Sequence, residues 1–130
     1  MAREEGRMSA QNFQSIPRLD KSFLEDLRML ESNPPDGIVD EILNIFFEIA
    51  PKMVAELKTA LDHSNLIEIN RKAHSLKSSA GNLGATRMAE VCLQLERSTD
   101  LEQMRALVSV LTEECSALMI ELKNELTQKA

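Results

Sequence analysis

Leu66, Ile69, Ala73, Leu76, Ala80 and Leu83 recur at spacings of 3, 4, 3, 4 and 3. Such spacing puts every apolar side chain on one narrow stripe of an α-helix, whereas a half-buried strand needs alternation at every second residue. A stripe this narrow is the kind used where helices pack as an antiparallel bundle. Asn65 followed three residues later by Glu68 has the form of a helix N-terminal cap with a returning carboxylate. Gly81, Asn82 and Gly84 mark the other end.

The rest of the chain reads the same way. A short helix is expected from Asp20 or Ser22, with Phe23, Leu27 and Leu30 on one face, stopping at Asn33-Pro34-Pro35-Asp36-Gly37. From about 38 to 61, Ile38, Ile42, Ile45, Ile49, Met53 and Leu57 stand at helical spacing, with Phe46 and Phe47 adding bulk. Pro51 lies inside this segment and predicts a kink, not a reversal. Met88, Val91, Cys92 and Leu95 mark a shorter helix, and Ser98-Thr99-Asp100 with Glu102 caps the next. That last helix carries Leu101, Met104, Leu107, Val108, Leu111, Cys115, Leu118, Leu122 and Leu126. Short connections between the four longer helices imply an all-α, antiparallel up-down-up-down four-helix bundle, the short helix acting as a lid. Residues 1–18 read as a polar tail whose last residues, Ile16-Pro17-Arg18, are candidates for docking, and 19–130 as the domain, which at this length buries a core without metals or disulfides.

Composition narrows the function. Trp and Tyr are absent, Gly and Pro number four each, and the net charge is −6. Bulk electrostatics therefore disfavours nucleic acid and anionic membranes as partners. No stretch approaches the roughly 20 apolar residues that span a bilayer, and residues 1–6 do not lead into a signal-peptide core, so a cytoplasmic monomer is expected. Cys92 and Cys115 lie in apolar helical patterns without zinc-type spacing and read as reduced core residues. Met53, Met88, Met104 and Met119 read as packing residues, and His63, in the turn Asp62-His63-Ser64, as a surface residue.

His74 lies one position beyond Ala73 of the apolar stripe, a rotation of about 100° that turns it to solvent. Lys77 and Ser78 flank it three and four residues on, and Asn70 and Gly81 extend the same surface. Residues 69–89 hold Arg71, Lys72, Lys77 and Arg87 and no Asp or Glu, a local +4 against −10 for the remainder. Taken singly, an exposed helical histidine is usually inert and a basic run is usually a solvated face. Here an accessible imidazole, small neighbours and cations coincide at compatible rotations, which suits a transferring phosphoryl group and an acidic partner surface.

The run Ala73-His74-Ser75-Leu76-Lys77-Ser78-Ser79-Ala80-Gly81-Asn82-Leu83-Gly84-Ala85 resembles the signature of the histidine-containing phosphotransfer (HPt) family of two-component phosphorelays. Cys92 with Leu95-Glu96 sits where that family repeats a similar pair, and the likeness extends loosely over about residues 17–128, through Phe46-Phe47-Glu48-Ile49-Ala50-Pro51. The resemblance implies that His74 is the phosphoacceptor and that Lys77 neutralises the bound phosphoryl charge. Ser78 stands where many members have glycine, Gly81 completes the clearance, and Asn70 and Arg71 become docking contacts. It implies a phosphoryl carrier between aspartate-bearing receiver domains of response regulators or hybrid kinases, without kinase activity or a cofactor of its own, the Mg²⁺ belonging to the receiver. Two alternatives stand beside it: a non-catalytic helical adaptor, and the phosphoacceptor domain of a chemotaxis-type kinase. A complete histidine kinase is disfavoured by Ser75 directly after His74, where such kinases usually carry an acid, and by the lack of a Gly-rich nucleotide-binding region in the 56 residues that follow.

Overall fold

A computed structural model describes residues 13–30 and 37–129, with side chains to residue 126. The described residues form five helices: α1 (Lys21–Met29), α2 (Ile38–Asp62), α3 (Leu66–Gly81), α4 (Thr86–Arg97) and α5 (Leu101–Lys129). The Asn33-Pro34-Pro35-Asp36 stop and residues 1–12 of the tail lie outside the described residues. Capping follows the sequence: the Asn65 side chain accepts from Glu68 N at 3.1 Å, and that of Asp20 from Phe23 N at 3.3 Å. Asp100 accepts from Glu102 N at 3.1 Å ahead of α5.

α2 packs on α3 and α5, and α4 packs on α3 and α5, closing a ring of four helices with α1 resting against α2. Of the α3 stripe, Ile69, Ala73, Leu76, Ala80 and Leu83 are buried and Leu66, in the first turn, is exposed; Met104, Leu107, Leu111, Leu118 and Leu122 of α5 are also buried. Ala73 and Ala80 keep the α3 seam thin, so neighbouring helices approach closely.

α2 is rotated from the sequence expectation. Its buried residues are Val39, Leu43, Phe46, Ala50, Val54, Leu57, Ala60 and Leu61, while Ile38, Ile45 and Ile49 are exposed. Two apolar stripes lie side by side on this helix. The isoleucine stripe runs into Lys52 and Glu56, whereas the one led by Val39 stays apolar for the whole length and can line a continuous core. The helix continues through Pro51 without reversal.

The segment before α1 is bound into the fold. Phe13, at the end of the stretch read as tail, is 1 % exposed. Arg87 donates to Ile16 O (2.7 Å), Thr86 Oγ1 to Pro17 O (2.6 Å), and Asp20 N to Gly84 O (2.7 Å). Gly84 has φ +79°, and a Cβ there would meet Phe23 Cβ at 3.0 Å and Asp20 O at 3.1 Å. The turn between α3 and α4 therefore needs glycine both for its left-handed backbone and for the approach of α1.

Candidate functional site

His74 lies mid-way along α3 with its side chain 61 % exposed, as its position beside Ala73 requires. The imidazole is not free to turn, because Nδ1 lies 2.8 Å from Glu96 Oε2 at the C-terminal end of α4. An ionised carboxylate only accepts, so a neutral ring carries its proton on Nδ1 and presents the Nε2 lone pair to solvent. Glu96 is held ionised: the hydrogen bond from Lys77, followed by that from His74, outweighs partial burial and lowers its carboxyl below the ordinary glutamate range.

The other oxygen of the same carboxylate takes Lys77, with Nζ 2.7 Å from Oε1. Asn70 completes the arrangement by donating from Nδ2 to the Glu96 carbonyl at 2.6 Å. Asn70, His74 and Lys77, on successive turns of α3, thus all close on one residue of α4. Glu96 is the residue of this cluster that single-position reasoning misses. Its signal was present: a short turn at 82–85 folds the end of α4 back along the middle of α3, and an acid near that end has a cationic stripe to meet.

The local +4 is corrected by the same cross-helix logic. Lys77 pairs with Glu96, Arg71 with Glu68 (2.7 Å), Lys72 with Glu56 of α2 (2.8 Å), and Arg87 approaches Glu114 of α5 (3.7 Å). A window of residues 69–89 stops just short of Glu68 and Glu90 and cannot see Glu56, Glu96 or Glu114. The His74 face is accordingly a compensated polar surface, with Lys77 already seated beside the imidazole through Glu96.

Of the remaining expected site residues, Ser78 and Gly81 lie exposed on the His74 stripe, and Arg71 is exposed and bent onto Glu68. A Cβ added at Gly81 would meet nothing within 4 Å, so the fold does not require glycine there. Asn70 is committed to Glu96. Between α2 and α3 runs a shallow groove of about 150 Å³, lined by Ile42, Ile45, Phe46, Ile49, Ser79 and Asn82. Cys92 is buried on α4, its thiol pushed up to about 12 chiefly by burial, and it is inert at neutral pH.

The Hpt domain family model matches residues 41–128, more than half of the chain. The chain belongs to the Hpt domain family. This Hpt domain is 27 % identical over 112 residues to histidine-containing phosphotransfer protein 2 of Arabidopsis thaliana, a match covering 82 % of this chain and 71 % of that protein. It is 26 % identical over 102 residues to multistep phosphorelay regulator 1 of Schizosaccharomyces pombe, covering 78 % of this chain and only 35 % of that protein. Its fold matches the crystal structure of histidine-containing phosphotransfer protein B from Pseudomonas aeruginosa PAO1 with a TM-score of 0.79 at 25 % identity, over 87 % of this chain and 97 % of the other. As an Hpt domain, it is a histidine phosphotransfer carrier of the phosphorelay type. Among the described residues, no helix is long and apolar enough to cross a membrane.

Proposed function

We propose that this Hpt domain carries its phosphoryl group on Nε2 of His74 and exchanges it reversibly with aspartates of receiver domains. The observation that carries this reading is the Nδ1 to Glu96 contact at 2.8 Å, which fixes the tautomer and leaves the nucleophilic nitrogen exposed. The Nε2 lone pair attacks phosphorus in line, the Nε2–P bond forming as the P–O bond to the receiver aspartate breaks and its electron pair returns to the carboxylate. No proton has to leave Nε2. The positive charge gained by the ring is offset by Glu96, and Lys77 turns its ammonium from Glu96 toward the phosphoryl oxygens. The reverse sequence delivers the group to a second receiver.

In this division of labour the bundle positions the nucleophile, and the receiver brings Mg²⁺ and most of the electrostatic stabilisation. Ser78 and Gly81 leave room for the incoming aspartyl phosphate, Arg71 lies at the edge of the approach, and the exposed isoleucines of α2 offer apolar contact on one side. Free, buried Cys92 and Cys115 support the reading of a carrier that works in a reducing compartment such as the cytoplasm, and a monomer is part of the same proposal. Asn70 serves by holding the α4 backbone at Glu96, not by touching the partner.

The test is to mix the protein with a receiver carrying ³²P-aspartyl phosphate and to look for acid-labile, base-stable label. Label is expected on the wild type and absent from His74→Gln, with unchanged thermal unfolding. Label persisting on that variant would place the acceptor elsewhere, and absence of label with every receiver from the same genome would overturn the carrier reading.

A further inference from the structure

Ile67 is 74 % exposed, among the most exposed apolar side chains of the described core bundle, and it has no role in packing. It precedes His74 by seven residues, which in an α-helix is a rise of about 10 Å and a rotation that returns to within about 20° of the same direction. The two side chains therefore stand on one line along α3. The line between them is kept clear: Asn70 is drawn to one side by the Glu96 carbonyl, and Arg71 is bent back by Glu68. Lone exposed apolar residues are ordinary on protein surfaces, so exposure alone assigns nothing. Position does. Phosphoryl exchange brings a receiver aspartate to Nε2, and a specific interface of about 800 Å² per partner is a patch of roughly 16 Å radius. Such a patch centred on His74 covers Ile67.

We propose that Ile67 is an apolar anchor for the receiver that exchanges phosphate with His74, and that it helps determine which receivers dock. The inference rests on the proposed carrier function and adds a specificity contact at the N-terminal end of the footprint, opposite Gly81. A receiver served by this contact presents an apolar side chain about 10 Å from its phosphorylated aspartate. Ile67 acts on complex formation and not on the chemical step, because it touches neither the imidazole nor its partners.

The experiment measures transfer rate against concentration of a receiver loaded from ³²P-acetyl phosphate, for wild type, Ile67→Gln, Ile67→Leu and Ile120→Gln. Ile120 on α5, across the bundle from α3, is exposed to a similar degree (66 %) and serves as the control. Ile67→Gln is expected to raise KM about 5- to 20-fold with the saturated rate unchanged. Ile67→Leu and Ile120→Gln are expected to stay within twofold of wild type. An Ile67→Gln KM within twofold of wild type overturns the proposal, as does an equal effect at Ile120 or a fall in saturated rate alone. If the wild type takes no label, the carrier reading fails and this anchor fails with it; if the wild type is labelled and Ile67→Gln matches it, only the anchor fails.

Discussion

Two carboxylates in this fold each bridge a pair of basic side chains, and burial separates what they do. Glu96 is 21 % exposed and joins His74 to Lys77, both reachable from solvent. Glu114 is 6 % exposed and joins Arg18, ahead of α1, to Arg87 at the start of α4, with Arg18 Nε at 2.9 Å. The Glu114 pair uses guanidinium groups, which never lose their charge and hold a rigid fork, so the bridge fastens the strap at 13–19 permanently. The Glu96 pair uses an imidazole with a free lone pair and a lysine on a flexible stem, so the same architecture can open toward a third charged group. Depth and the type of basic group thus turn one motif into a fastening in one place and a solvent-reachable, openable cluster in the other.

The comparison breaks most readily at Glu114. Glu114→Ala takes from Arg87 its buried counter-charge and leaves Arg18 only the longer approach to Glu121 at 3.9 Å, and it is expected to lower stability by about 3 kcal/mol, read from urea unfolding, while phosphate uptake per folded molecule stays within twofold. An unchanged unfolding midpoint would show that the two bridges are not different in kind. Lys77→Ala carries the converse expectation: transfer to His74 slows about 10- to 100-fold for want of the cation, and stability moves by less than about 0.5 kcal/mol.

The smallest effect concerns pH. The Glu96 carboxyl is lowered in the folded state by Lys77 and then His74, so its contribution is present above the ordinary glutamate value of about 4.3 and is lost as pH falls through the lower folded value. For a site this exposed the contribution is below about 1 kcal/mol. A ¹³C carboxyl titration should place Glu96 below free glutamate, and Glu96→Gln should remove that part of the acid limb of stability. A Glu96 carboxyl titrating at or above the free value would contradict the bridged geometry.

How far the chain could be read in advance follows from the range of each interaction. The helix start at Asp20, the cap at Asn65, the α3 seam from Ile69 to Leu83 and the outward turn of His74 all depend on residues three or four apart, and the structure reproduces them, while Leu66 at the N-terminal end of the seam is exposed. The rotation of α2 did not follow, because Ile38-Ile42-Ile45-Ile49 is locally as good a stripe as Val39-Leu43-Phe46-Ala50. Only the need for an unbroken apolar face against α3 and α5 chooses between them. The docking of Phe13 was equally hidden, since one aromatic in a polar stretch has no period to reveal it.

At the site, the resemblance pointed to His74 and Lys77, and rotation alone placed both on one exposed surface. Their common partner came from another helix, and so did the carboxylates that cancel the local +4. The sequence by itself determined which segments are helical, where they start, and that an imidazole faces outward among small and basic residues, because helix periodicity and capping are local. The tertiary structure decided the imidazole tautomer, the seat of Lys77 and the bonding of the strap, because Glu96 and Glu114 reach their cations only after the helices have packed.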